Sequence, residues 1–383
     1  MTPIVIAGSG LAGLAVAREF RRLDATTPVV VVTGDDGASY SKPMLSNALA
    51  TGRSPAQLAS ATAPQIAAQL KITLRPWTRI EAIDRDARLL RLGADTLAYD
   101  RLVLAIGADP RRPALAGDGA GDVLTVNDLA GYAVFRDALA GARRVAILGA
   151  GLIGCEFAND LAASGFGVDV VDIAPHPLGR LLPPRAAATL RQALARAGVA
   201  WHLGRTPQAV SRRASGPRFA IALDDGGEIL ADIVLSATGL VPRTALAAAA
   251  GLACGRGILT DRLLRSSDPA IFALGDCAEV GGLSLPFVMP LMAGARALAR
   301  TLAGTPTPVA YPAMPVVVKT PALPVVVSPP PANAAGVWQE EDTADGIAAR
   351  FVGEDGTLHG FALTGAAAVA RKAALAREVP ALL

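Results

Sequence analysis

The chain has 383 residues, 52% hydrophobic and 18% charged, with 39 glycines; this suits two or three compact domains and excludes a disordered or fibrous protein. The formal net charge is only +3, and the 36 Lys and Arg are dispersed without a basic tract carrying aromatics, which argues against nucleic acid as a partner. Mean hydropathy is +0.40, yet apolar runs such as "ALAAAAGLAC" from Ala245 fall short of the roughly 18 residues that span a bilayer, so no membrane span is expected.

The opening "MTPIVIAGSG" enters a strand directly, without a basic n-region or cleavage site, so a cytoplasmic location is expected. Residues 3–7, "PIVIA", predict a strand, "LAVAREFRRLD" a helix, and 28–33, "PVVVVT", a second strand. Gly8, Gly10 and Gly13 fall at the strand-to-helix turn of this βαβ unit. Glycine lets the backbone approach a pyrophosphate, and a helix N-terminus favours its charge. The usual ribose partner is an acid about 20 residues on. That count lands on Thr33, with Asp35 and Asp36 just beyond; Asp35 is preferred as the ribose contact, with Thr33 and backbone as the alternative. Next comes "ASYSKPMLS" at 38–46, a polar stretch that holds Lys42 and Pro43 and has no cysteine.

A second unit begins at "RRVAILGAGLIGCEFANDLAASGFGVDVVDIAP". It predicts a strand over 144–148, a turn with Gly149, Gly151 and Gly154, a helix, and a strand over 168–173. Asp172 stands at the strand end, where a carboxylate accepts from a free ribose 2′-hydroxyl and repels a 2′-phosphate. That favours NADH over NADPH, although Arg180 and Arg185 nearby are the residue type that binds a phosphate. One such glycine pattern is weak evidence; two in one chain, each between a strand and a helix, are strong.

Three more strands extend the frame. "YDRLVLAIGADPRRP" runs through Ala105 and Gly107, "ADIVLSATGLVPRT" through Gly239, and "SSDPAIFALGDCAEV" ends at Gly275 and Asp276. They read as crossovers, the chain leaving its first domain, building a second and returning. The expected fold class is α/β: two Rossmann-like dinucleotide-binding domains, the second inserted in the first, plus a small C-terminal α+β domain. The expected boundaries are 1–115 with 237–305, then 116–236, then 306–383. In the last, apolar triplets between prolines predict short strands, and 366–383 has a helical pattern.

Cys155, Cys254 and Cys277 are far apart, with no Cys-x-x-Cys, as in reduced thiols of a reducing compartment. His176, His202 and His359 lack partners at metal-ligand spacing, so no metal site is expected.

With these residues in view, the chain resembles the FAD-dependent pyridine nucleotide-disulfide oxidoreductase superfamily, nearest its bacterial rubredoxin–NAD reductases and next the reductases serving flavorubredoxin. The resemblance spans essentially the whole chain, through "SYSKPMLS", "ILGAGLIGCEFANDL", "IFALGDCAEV", "VMPLM", "VKTPALPVVVSPPP" and "FALTGAA". It implies that Gly8, Ser9, Gly10, Leu11, Ala12 and Gly13 hold FAD, with Arg79 and Ile80 by its adenine. Lys42 and Pro43 would lie against the isoalloxazine ring, with Glu156 pairing Lys42; these two are the catalytic candidates. Asp276 would bind the ribitol, Val288 would present its N–H to the pyrimidine end, and Lys319 would reach the flavin from the third domain. Ala105, Gly107, Gly239 and Gly275, at the crossovers, would also be cofactor-binding residues. Gly149, Gly151, Leu152, Ile153, Gly154 and Asp172 would hold NAD(H).

Members with a redox disulfide place its cysteines after the first unit; residues 38–60 here have none. Reduced flavin then has no internal dithiol to feed, and its outlet is an external one-electron carrier. The resemblance implies rubredoxin, an acidic partner met transiently, as in electron supply for alkane hydroxylation. The alternatives are a flavorubredoxin or [2Fe-2S] ferredoxin and, in another class, a non-catalytic flavin or dinucleotide sensor. The oligomeric state is left open, with a monomer compatible.

Overall fold

The computed structural model describes residues 1–383. Its first sheet has five parallel strands in the order Ile271–Ala273, Arg101–Leu104, Ile4–Ala7, Val29–Val32, Thr73–Arg75. The two strands of the first glycine unit are buried at every position, which is why they read as unbroken Ile and Val rather than as an alternation. Helix Leu11–Leu23 packs on helix Val288–Leu302, and both feed the same core as an antiparallel meander over Ala82–Asp84, Leu89–Leu92 and Asp95–Ala98. Strand Ile271–Ala273 enters this sheet after the chain has built a second one.

The second sheet repeats the plan: Leu124–Thr125, Ile233–Ser236, Arg144–Leu148, Gly167–Asp172 and Val199–Leu203, all parallel. A three-stranded antiparallel unit, Pro207–Arg212, Phe219–Leu223 and Glu228–Ala231, closes one side of it. The chain passes between the sheets on two adjacent strands, Ala108–Pro110 and Leu240–Pro242, which pair antiparallel.

The third unit is a five-stranded antiparallel sheet in the order Val316–Val318, Val325–Ser328, Leu358–Thr364, Ile347–Val352, Val337–Asp342. Its edge strand Val316–Val318 leads directly into Lys319. The C-terminal helical pattern resolves into two short helices, Ala366–Val369 and Lys372–Glu378. The break between them lets Ala368, Leu375 and Val379 all reach one apolar cluster with Phe361 and Leu363.

One hydrophobic core joins all three units. It contains Leu45 and Ala48 from the first, Cys155, Phe157 and Leu161 from the second, and Val318 and Val325 from the third. The helix Leu152–Ala163 therefore sits where the three meet. No helix is long and apolar enough to cross a membrane.

Candidate active site

The two glycine turns have nearly the same backbone. Gly8 and Gly149 open them at φ +109° and +111°, a region L side chains rarely adopt. A Cβ on Gly13 would lie 1.9 Å from the Gly8 carbonyl oxygen, and one on Gly154 would lie 1.9 Å from that of Gly149. Above the turns the space is open, because a Cβ on Gly10 or Gly151 would meet nothing within 4 Å. Neither helix start has a side-chain cap or an acid in its first turn, so its amides face that space unpaired. An anion such as a dinucleotide pyrophosphate fits both cradles.

The acids differ. Asp35 Oδ1 accepts from Ser9 Oγ at 3.1 Å, Thr33 Oγ1 at 2.7 Å and Gly37 N at 3.0 Å, while Ser9 Oγ also lies 3.0 Å from Thr33 Oγ1. Thr33 and Asp35 are thus one cluster, and Oδ2 of the exposed Asp35 stays free of protein donors. Backbone bonds from Trp77 N to Asp35 O and from Thr78 N to Thr33 O hold the 77–80 segment against it, and Arg79 lies beside Gly34. Asp172 instead accepts from backbone amides, Ala150 N and Ala174 N, the latter at 2.7 Å. Arg185, one of the two arginines beside this acid in sequence, is turned away; its guanidinium holds Asp342 of the third unit at 2.7 Å.

The expected Lys42–Glu156 pair is not formed. Lys42 starts the 3₁₀ turn Lys42–Asn47 and meets Asp276, Nζ to Oδ2 3.7 Å. Asp276 follows Gly275, whose positive φ lets the chain turn tightly after strand Ile271–Ala273 against Ala12. Lys42 keeps a side chain 36% exposed. Burial holds its pKa below the usual lysine value, with the Asp276 carboxylate acting the other way and Arg243 adding to the depression. Glu156 is fully buried and takes other partners: Ser46 Oγ, the Lys319 backbone N at 2.9 Å and the Lys319 ammonium. The reason is topological. Edge strand Val316–Val318 delivers Lys319 onto the helix face that Lys42, a helical turn before Ser46, does not reach. Two expected site residues, Glu156 and Lys319, are thereby brought together, and Lys42 is brought to a third, Asp276.

Val288 is the first residue of helix Val288–Leu302, and that helix start has no side-chain cap. Ala105 lies under the first cradle, its O 2.4 Å from where a Gly8 Cβ would be, and Gly107 accepts from Arg243 N at the crossover. Gly239 accepts from Arg111 N at the crossover. The residues missed from sequence are Ser46, Asn159 and Asp160. Asn159 Oδ1 accepts from Ala322 N at 3.0 Å, and Asp160 accepts from Leu49 N and Ala50 N at 3.0 and 2.9 Å. The available signal was three polar residues, Glu156, Asn159 and Asp160, at i, i+3 and i+4 of an otherwise apolar helix.

The three thiols lie apart from one another. All three are unpaired; Cys155 and Cys277 are fully buried, and burial pushes both pKa values up, that of Cys277 to about 11. No group of three or more His, Cys, Asp or Glu is arranged to hold a metal.

The pyridine nucleotide-disulphide oxidoreductase family matches residues 2–299, and a rubredoxin binding C-terminal domain matches 308–379. The chain is 48% identical over 383 residues to a rubredoxin-NAD(+) reductase of Alcanivorax borkumensis, covering 100% of both. It is 40% identical over 362 residues to a nitric oxide reductase FlRd-NAD(+) reductase of Aeromonas salmonicida, covering 94% of this chain and 92% of the other. The crystal structure of a ferredoxin reductase from Rhodopseudomonas palustris superposes with TM-score 0.89 at 27% identity, covering 99% of this chain and 96% of that one. The chain belongs to the pyridine nucleotide-disulphide oxidoreductase family.

Proposed function

We propose that this chain is an FAD-dependent NADH:rubredoxin reductase of the cytoplasm. The observation that carries the reading is the coexistence of two intact glycine cradles with three unpaired thiols, two of them fully buried, in a chain whose third unit matches a rubredoxin-binding domain. FAD, when bound, supplies the chemistry, accepting a hydride from NADH and passing electrons on singly. The chain itself binds and orients. Gly8, Gly10 and Gly13, with Ser9, Leu11 and Ala12, hold one pyrophosphate; Gly149, Gly151 and Gly154, with Leu152 and Ile153, hold the other. Thr33 and Asp35, with its free Oδ2, would hold a ribose of FAD, and Arg79 and Ile80 would flank its adenine. Asp172 receives the ribose of NADH.

Hydride transfer needs no general acid, so the ring-side residues act by position and charge. Lys42, steadied by Asp276, supplies a cation where reduced flavin gathers negative charge, and the Val288 N–H supplies a dipole. Pro43 fixes the turn behind Lys42. Glu156, pinned by Ser46, receives Lys319 and so ties the rubredoxin-binding unit to the helix that starts at the NADH cradle.

The test is anaerobic. NADH should bleach the flavin of the FAD-loaded protein, and oxidised rubredoxin should restore the colour. Faster reoxidation by oxygen than by rubredoxin at equal concentration overturns the reading. A flavorubredoxin acceptor is the second reading, favoured by the Aeromonas relative; the ratio of kcat/KM for the two carriers separates them.

A further inference from the structure

Asp160 is the carboxylate that the mechanism above does not use. It is 2% exposed, on helix Leu152–Ala163 of the second unit, yet both of its oxygens serve the first unit. Oδ2 accepts from Leu49 N at 3.0 Å and Oδ1 from Ala50 N at 2.9 Å. Those amides lie just past the turn Lys42–Asn47. No side-chain cation bonds to the carboxylate. A buried charge without an ion-pair partner is a costly way to satisfy two amides, since the backbone or a neutral side chain normally does so. Burial accordingly raises its pKa, and the two amide bonds oppose the shift, as do the Arg136 and Lys319 charges, neither of which bonds to it.

The segment packs on the second unit through Leu45 and Ala48, and its other side-chain hydrogen bonds to that unit are two. Ser46 Oγ meets Glu156, and Arg136 donates to Arg53 O at 2.8 Å. Toward the first unit, Lys42 has only its 3.7 Å contact with Asp276. Glu156 and Asp160 are one helical turn apart on the same face, so together they grip the segment at Ser46 and again at Leu49–Ala50. The same rigid helix begins at the second glycine cradle.

We propose that Asp160 is a positioning residue for the flavin-reducing half-reaction, locking residues 42–50, and with them Lys42, to the helix that starts at the NADH cradle. The proposal rests on the reading of Lys42 as a neighbour of the flavin. Its logic is geometric: small misplacements at a hydride-transfer site lower rates steeply. Asp160 adds a directional hold to a contact that the apolar packing of Leu45 and Ala48 leaves without direction.

The experiment compares Asp160→Asn and Asp160→Leu in the full-length, FAD-loaded protein, with all rates normalised to bound FAD. Asn keeps the size and one acceptor; Leu keeps the approximate size and neither. Flavin bleaching at saturating NADH should slow about threefold in Asp160→Asn and about tenfold in Asp160→Leu. The flavin midpoint potential should fall in the same order, because a displaced Lys42 stabilises the reduced form less. The KM for rubredoxin should not change. Wild-type bleaching rates and potential in Asp160→Asn overturn the proposal. So does a loss of activity in both variants that disappears on normalising to FAD, which marks Asp160 as a packing residue alone. If wild-type protein is itself not bleached by NADH, the reading of the site fails instead, and the two failures are distinguishable.

Discussion

The two glycine cradles share a backbone and differ in everything that surrounds it. In each, the first glycine sits at φ near +110° and the last leaves only 1.9 Å between its would-be Cβ and a carbonyl oxygen. Beyond the turn the helices part company. Two residues past the last glycine, the first helix buries Ala15 and the second buries Glu156; a turn later the first carries Glu19, which pairs with Arg22, and the second carries Asp160, which serves another domain. The turn is thus a shared anion-fitting geometry, and the helix behind it decides whether the cradle is a terminus or a junction. The polar bonds of the first helix, Arg18 to Ser39 and Arg21 to Leu70 and Lys71, stay within the first unit. The second carries the contacts through which three units meet.

The sharpest way to break the comparison is to destroy one cradle at a time. Gly13→Ala forces backbone apart at the first, and Gly154→Ala at the second, because a Cβ cannot sit 1.9 Å from a carbonyl oxygen. Gly13→Ala should yield protein without FAD. Gly154→Ala should stay yellow and fail to bleach with NADH. Absorbance of the purified variants and one anaerobic titration read both outcomes; equal loss of FAD in the two would merge the cradles into one folding unit.

A second test removes what makes the second helix a junction. Lys319→Ala leaves Glu156 buried with Ser46 and one backbone amide as its remaining partners. Stranding one half of a buried pair costs about 3–5 kcal/mol, and denaturant unfolding should show a loss of that order. Lys319→Met with Glu156→Gln should recover much of it, since the uncompensated charge is then gone. No loss in the single variant would mean that the ion pair is solvated in solution.

How much of this was legible beforehand follows from the same contrast. The cradles and both parallel sheets were readable because their causes are local: glycines at fixed spacing, and strands such as 29–32 so fully buried that every position is valine. Lys42 stood out in the sequence, but its partner was not legible there. Asp276 and Glu156 are both distant in sequence, and which one reaches Lys42 depends on where the third unit sets Lys319. The choice between Thr33 and Asp35 dissolved for a related reason, since one residue orients the other. The C-terminal helix was overread because alanine favours helix throughout, whereas packing under the sheet required a break.

A third test sharpens the difference between the acids. Asp172 is set by two backbone amides, so Asp172→Ala removes a preorganised acceptor without disturbing other side chains. The KM for NADH should rise about tenfold, and discrimination against NADPH should shrink, because the charge that repels a 2′-phosphate is gone. Asp35→Ala should act more weakly on FAD retention, since Thr33 and Ser9 remain as hydrogen-bonding groups. Steady-state kinetics with both nucleotides, and FAD release on dilution, measure the pair. An unchanged NADH to NADPH ratio would remove Asp172 from the ribose site.

The smallest effect is a matter of pH, and it separates the cradles because a titrating lysine flanks only the first. Burial places the folded pKa of Lys42 below its ordinary 10.5, and Asp276 pulls it part of the way back. Between the folded value and 10.5 the unfolded chain still holds the proton that the folded chain has lost. Lys42 therefore penalises folding at lower pH, and its contribution to stability rises with pH through that window. Activity should move the opposite way, since the cation facing the flavin is lost first. A partly exposed pair contributes about 0.2–1 kcal/mol, so flavin bleaching should slow only about two- to fivefold across this alkaline limb. Lys42→Arg, charged throughout, should flatten the limb. Asp276→Asn removes the opposing carboxylate and should move the limb to lower pH. Stopped-flow bleaching against pH decides it: a limb that is identical in wild type and Lys42→Arg belongs to another group, and Lys42 then holds the turn without acting on the flavin.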